Sequence, residues 1–164
     1  MRTLTSATEM VDCGAEVAGL LSPGDVLILD GPLGAGKTTF TRGLGRGLGV
    51  RGPVTSPTFV IARVHPSLVG GASLVHVDAY RVESLDDVDA LDLDASVEDS
   101  ITVVEWGLGR VEQLSDSYLL VRLDRANDEL DDVRTIDWRT VGAAWESRYT
   151  ALGQVLGKPS PDDM

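Results

Sequence analysis

This chain is short of lysine, of cysteine and of long apolar runs, and each shortage removes a class of answer. Of the 164 residues only Lys37 and Lys158 are lysines; Lys and Arg together number 14, so the other twelve cations are arginines. Asp and Glu number 26, leaving a formal net charge of −12. So acidic a chain is not expected to clamp an RNA or DNA backbone by itself, because that affinity comes from Lys and Arg displacing counterions. Cys13 is the single cysteine, which excludes an internal disulfide and a thiolate-rich metal centre. Within the first expected helix it reads as a small buried hydrophobe. The longest apolar runs are strand-sized pieces such as 26–29, so nothing is expected to span a membrane, and the start Met1-Arg-Thr-Leu-Thr5 lacks the apolar core of a signal peptide. The expected location is therefore cytoplasmic.

What is present points first to one stretch. Asp25-Val-Leu-Ile-Leu-Asp30 is strand-like, and Gly31-Pro-Leu-Gly-Ala-Gly-Lys-Thr38 follows at once, matching G-x-x-x-x-G-K-[ST] between a strand and a helix. Such a loop wraps a phosphate with backbone N–H groups. A Cβ at Gly34 or Gly36 would obstruct positive φ angles or close approach. Lys37 is placed to reach the β- and γ-phosphates, Thr38 to ligate Mg²⁺ through its hydroxyl, and the helix over 38–48 directs its positive end at the anion. In a chain that otherwise uses arginine, lysine stands where a compact charge on a flexible stem is needed. The motif predicts nucleotide binding.

At 164 residues and 43% hydrophobic content the chain fits one domain with a full core. We expect that domain over residues 1–156 and a disordered tail over 157–164. The spacing predicts an amphipathic helix over 7–21 with Ser6 as N-cap, the helix over 38–48 closed by Gly49, strands over 59–64, 72–77 and 101–105, and a terminal helix over 142–156. Arg42 and Arg46, one turn apart, are expected on an exposed stripe. Residues 117–123 and 133–139 alternate like half-exposed strands and are expected as an antiparallel edge. The sum is an α/β, three-layer P-loop fold whose central sheet is mostly parallel with antiparallel edge strands.

Ligands of such folds bind at the carboxyl ends of parallel strands, which selects the remaining candidates. Ser56 and Thr58, in a loop held by Pro53 and Pro57, carry hydroxyls suited to a water or Mg²⁺. Asp78 ends the strand 72–77. Glu105 ends 101–105 in the Walker B position, where a buried carboxylate is tolerated if Mg²⁺ or donors satisfy it. Trp106 can flank the site or stack on a base. His76 is expected to be partly buried and satisfied within its strand rather than a ligand or base. Acids at positions 86, 87, 89, 92, 94, 98 and 99 alternate with Leu85, Val88, Leu91, Leu93 and Val97, as on a short amphipathic helix whose acidic side is a solvated face or a partner surface.

Four stretches together resemble the TsaE (YjeE) family: Gly34-Ala-Gly-Lys-Thr-Thr-Phe40, Ser56-Pro-Thr-Phe59, His76-Val-Asp-Ala-Tyr-Arg81 and Val104-Glu-Trp106. The resemblance covers roughly residues 5–140. It implies a Mg²⁺-dependent ATPase of tRNA threonylcarbamoyladenosine synthesis, acting with the TsaD and TsaB proteins on an intermediate supplied by TsaC and meeting tRNA only through that complex. Carried over by position, it implies a nucleotide cradle of Gly34, Ala35, Gly36, Lys37, Thr38 and Thr39, and Mg²⁺ served by Thr38 and Glu105. Asp78 would lie near the metal or attacking water, with Lys37, Asp78 and Glu105 as the catalytic set. Ser56 and Thr58 would form a switch-like loop, and Trp106 would flank the site. Arg134 joins Trp106 as a candidate for the base or ribose surroundings. Pro32 and Gly107 depart from the usual family pattern, which often has an acidic or polar residue at the first position and proline at the second.

Three other readings compete with this one. A small-molecule or nucleoside kinase needs cations over the transferred phosphoryl group, and no segment clusters arginines; Arg122 and Arg125 are the nearest pair. A GTPase usually carries [NT]-K-x-D, which two lysines at 37 and 158 do not supply. A nucleotide-sensing adaptor with slow turnover lies close to the favoured reading, because no arginine finger stands in cis.

Overall fold

A computed structural model describes residues 1–57, 62–81, 97–125, 132–159 and 161. Seven described strands form one sheet: β1 (Arg2–Leu4), β2 (Val26–Asp30), β3 (Ala62–His65), β4 (Ser73–Asp78), β5 (Ser100–Glu105), β6 (Tyr118–Arg125) and β7 (Arg134–Val141). Their spatial order is β1-β7-β6-β2-β5-β4-β3. The central four are parallel, since β2 pairs with β5 and with β6, and β4 with β5, in that sense. Antiparallel β7 and β1 close one edge and antiparallel β3 the other. This is the expected α/β fold of the P-loop class. Among the described residues no helix is long and apolar enough to cross a membrane.

β6 corrects one expectation. The sequence pattern places it with β7 in an antiparallel edge; it does pair antiparallel with β7, but it lies inside the sheet and runs parallel to β2. Leu119, Leu120, Val121 and Leu123 are all fully buried. A parallel strand covered on both faces reads as a continuous apolar run rather than an alternation, and Leu-Leu-Val-Arg-Leu is nearer to that than to half-exposure. β1 was not foreseen: three residues are too few for a period, and pairing of Arg2 with Ile136 on β7 holds the strand in place.

Three helices are described, α1 (Ala7–Ala18), α2 (Lys37–Leu48) and α3 (Tyr149–Leu156). Ser6 caps α1 as expected: its Oγ accepts the Glu9 N–H at 3.2 Å, and the Glu9 carboxylate reaches back to the Thr5 N–H at 2.6 Å. The helix stops at Ala18, three residues early, and Leu20 and Leu21 continue in turns on Val17 and Ala18. Gly49 closes α2 with φ 66°. Arg42 and Arg46 are exposed, and Arg46 pairs with Asp12 on α1 at 2.6 Å. The terminal helix is shorter than expected, because Ala143–Arg148 is a 3₁₀ segment before α3 begins.

One apolar cluster joins α1, α2 and α3 to one sheet face through Met10, Cys13, Val17, Phe40, Leu44, Trp145, Leu152 and Leu156. A second cluster covers the other face with Val26, Ile28, Val75, Val77, Val104, Val111, Tyr118 and Leu120. Cys13 is fully buried, and burial pushes its thiol pKa up to about 11, consistent with an inert core side chain. Asp25, nearly buried before β2, accepts a two-pronged contact from Arg148, with Nη2 at 2.9 Å from Oδ1, and ties the base of the sheet to the 3₁₀ segment that leads into α3. The chain after α3 remains attached at its start: the Gly157 carbonyl accepts the Trp138 indole N–H at 2.8 Å, and the Lys158 carbonyl accepts from the N-terminal amine.

Candidate functional site

The P-loop leaves β2 at Asp30 and enters α2 at Lys37. It turns sharply at three positive-φ glycines, Gly31 (138°), Gly34 (77°) and Gly36 (103°). A Cβ at Gly31 would stand 2.0 Å from the Leu123 carbonyl oxygen, so the loop lies directly on the end of β6. Gly36 caps α2 with no side-chain hydrogen bond, leaving the helix N-terminus as a backbone cradle for an anion. Lys37 is buried, and its Nζ donates to the carbonyls of Gly31 at 2.6 Å and Pro32 at 2.9 Å. The same nitrogen lies 3.7 Å from the Trp106 ring centroid, a cation–π contact. Burial pulls the Lys37 ammonium below its ordinary pKa, opposed by the negative charges of Glu105, Asp30 and Asp78.

Parallel pairing brings the second half of the site to this loop. Asp78 and Glu105 are register partners at the carboxyl ends of β4 and β5, and the Ala79 N–H donates to the Glu105 carbonyl at 2.9 Å. The Glu105 side chain is 4% exposed and accepts from the Thr38 hydroxyl, Oγ1 lying 2.9 Å from Oε1 and 3.2 Å from Oε2. His76 Nε2 donates to the same Oε1 at 2.7 Å. The expectation for His76 is thus corrected: it is fully buried, it touches the candidate metal carboxylate, and its Nδ1 has no partner among the described residues. Alternation along the strand could not reveal this, because Glu105 comes from a different strand.

Asp78 Oδ1 accepts the Tyr80 N–H at 2.9 Å, a local turn that fixes the carboxylate direction. Arg110, which sequence reasoning did not single out, donates to the carbonyls of Ala79 and Tyr80, the second at 2.8 Å, and braces the same turn. Trp106 is the one non-glycine with positive φ, 62°, among the described residues. That backbone costs on the order of 1 kcal/mol and sets the indole against Tyr80, ring centroids 5.2 Å apart, and over Lys37.

These groups surround a cavity of about 700 Å³ lined by Gly34, Gly36, Lys37, Thr38, Thr39, Ser56, Asp78, Glu105 and Trp106, with Leu33, Pro57, Tyr80 and Arg81 completing the wall. The candidates Lys37, Asp78, Glu105, Thr38, Thr39, Ser56 and Trp106 therefore meet in one place. Ala35 is buried behind the loop, where it can offer only its backbone. Arg134 does not line this cavity. It lines a neighbouring pocket of about 90 Å³ with Ser6, Met10 and Asp132, which shares Gly34, Gly36 and Thr39 with the larger one. Thr58 and most of the acidic segment, residues 82–96, lie outside the described residues. Two arginines unforeseen as site neighbours also approach: Arg81 in the cavity wall, and Arg125, whose Nη2 would be 2.0 Å from a Cβ on Gly34.

The donor set fits a Mg²⁺-nucleotide. The glycine cradle and uncapped helix suit phosphate, and a half-buried hydroxyl paired with a buried carboxylate beside it suits a hard cation that keeps waters and phosphate oxygens as its other ligands.

A family model described as "Threonylcarbamoyl adenosine biosynthesis protein TsaE" matches residues 4–136. The tRNA threonylcarbamoyladenosine biosynthesis protein TsaE of Streptomyces coelicolor is 58% identical over 138 residues, covering 83% of this chain and 93% of that protein. Its Bacillus subtilis namesake is 42% identical over 142 residues, covering 86% and 83%. The crystal structure of Bacillus subtilis YdiB superposes with a TM-score of 0.70 at 32% identity, covering 94% of this chain and 91% of that one. Matched over most of its length by the family model and by these relatives, the chain belongs to the TsaE family.

Proposed function

We propose that this protein is the ATP-binding and ATP-hydrolysing component of tRNA threonylcarbamoyladenosine synthesis, working with TsaD and TsaB. Family membership supports the pathway. The observation that carries the activity is the junction of Lys37, Thr38 and Glu105, where a P-loop lysine, a hydroxyl and a nearly buried carboxylate converge on one cavity.

In this reading the N–H groups at the start of α2 and the Lys37 ammonium bind the phosphates. Thr38 and Glu105 would hold Mg²⁺, which would supply positive charge against the nucleotide phosphates. Lys37 exchanges its bonds to the Gly31 and Pro32 carbonyls for phosphate oxygens. Asp78, aimed by the Tyr80 N–H, orients the attacking water. Trp106 and Tyr80 form an aromatic rim that excludes bulk water from the Lys37 side. Only Lys37 and Arg81 supply positive side chains among the described lining residues. Phosphoryl transfer leans heavily on such charge, so turnover by the isolated protein is slow and a partner completes the site.

The fate of the γ-phosphate separates this reading from a kinase. With Mg²⁺ and γ-labelled ATP, the label is expected as inorganic phosphate whatever metabolites are added, and GTP serves as the control nucleotide. Label recovered on an added nucleoside or metabolite would overturn the ATPase assignment.

A further inference from the structure

Glu105 is the carboxylate on which the cation side of the site depends, and its hold on position is unusual. Only two donors reach it among the described residues, the Thr38 hydroxyl, which lies between Oε1 and Oε2, and His76 Nε2, which lies on Oε1. Thr38 is itself a candidate Mg²⁺ ligand, so its hydroxyl has two competing duties. His76 has none: its ring is fully buried on β4, two residues before Asp78, the register partner of Glu105, and so lies diagonally from Glu105.

A core-filling role explains this ring poorly. Nδ1 is buried without a partner among the described residues, and a buried hydrogen bond left unmade is a cost that an apolar side chain of similar volume would avoid. The polar edge is used in one place only, at 2.7 Å from Oε1. A planar ring locked by burial also fixes a carboxylate in direction as well as distance, which a freely turning hydroxyl does not.

We propose that His76 is a positioning residue: its Nε2–H holds the Glu105 carboxylate in the orientation that serves the divalent cation, independently of Thr38. The proposal rests on the reading of Glu105 as a Mg²⁺ ligand. Partners that orient a metal's own ligands typically change metal affinity by about 10–100-fold when removed, without contacting the ion.

The test uses the full chain with ADP and Mn²⁺, read by the electron paramagnetic resonance of free Mn²⁺, with ADP affinity in EDTA measured in parallel. His76→Leu is expected to weaken Mn²⁺ binding by about 10–100-fold while ADP affinity in EDTA is unchanged. His76→Gln, whose amide nitrogen reaches close to the Nε2 position, is expected to restore most of the loss, and His76→Asn, whose amide stops short, is not. If His76→Leu does not fold, the Gln and Asn pair gives the same answer, and equal Mn²⁺ affinity in those two would overturn the proposal. So would unchanged Mn²⁺ affinity in His76→Leu, or a joint fall of Mn²⁺ and EDTA-ADP affinity that Gln does not repair. Glu105→Gln separates the two levels: if it keeps full Mn²⁺ affinity, the metal-site reading itself has failed, whereas a loss there with none in His76→Leu removes only the role given to His76.

Discussion

Lys37→Ala is expected to lower ATP affinity on the order of 100-fold, because hydrogen bonds to charged groups are worth about 1.5–3 kcal/mol each and every 1.4 kcal/mol is a factor of ten. The side chain is pre-placed for this: it is nearly buried, it bridges two loop carbonyls, and burial disfavours its charge, so an arriving phosphate adds a stronger counter-charge to a cation already held in the loop. Glu105→Ala separates the two halves of the site. It leaves the glycine cradle and Lys37 intact, so ADP binding in EDTA is expected to persist, while Mg²⁺-dependent turnover falls by roughly 100- to 1000-fold, the usual cost of removing one preorganised group that stabilises transition-state charge. Calorimetry and phosphate release report the two quantities separately. Retained turnover in both variants would refute the site assignment.

The second large effect is on stability. Gly43 of α2 faces α1 so closely that a Cβ there would stand 2.1 Å from the Val11 carbonyl oxygen and 3.0 Å from Gly14 Cα. The contact is mutual, since a Cβ on Gly14 would stand 2.3 Å from the Phe40 carbonyl oxygen. Two effects of Gly43→Ala oppose each other. Helix propensity favours alanine by about 1 kcal/mol, but the clash is with backbone, which no rotamer change relieves, and the helices must move apart. Overpacking of that kind costs typically 1–3 kcal/mol and occasionally more, and here the backbone contact puts the expected cost at the upper end. Thermal unfolding should show a fall of several degrees, at about 2–4 °C per kcal/mol for a chain of this size. Gly71→Ala, where the nearest atom is a serine hydroxyl at 3.6 Å, is the control expected to change little. A Gly43→Ala protein as stable as the parent would mean that α1 and α2 are not in this contact. Because α2 carries Lys37 and Thr38 at its first turn, that contact also sets where the P-loop stands relative to the sheet.

Much of the site was legible in the chain because its chemistry is carried by contiguous motifs. The strand, loop and helix around Lys37 announce themselves by spacing, and Asp78 and Glu105 by their places at strand ends. What stayed hidden lies between segments. His76 and Glu105 are 29 residues apart and meet only because β4 and β5 pair in parallel register; strand alternation sees one strand at a time. Arg125 reaches Gly34 because β6 lies beside β2, a contact that an edge position for β6 does not predict. Arg134 sits on the far side of the P-loop from the large cavity for the same reason: its strand, β7, continues the sheet outward beyond β6. The end of α1 at Ala18 and the 3₁₀ segment before α3 are local departures that the apolar period does not mark.

The measurement that bears most directly on the account is the rate of inorganic phosphate release from Mg²⁺-ATP by this protein alone and with TsaD and TsaB. A slow rate alone, a clear rise with both partners and loss of that rise in Lys37→Ala are the predicted results. Equal turnover with and without the partners would contradict the account, because the cavity would then be a complete catalytic site in itself.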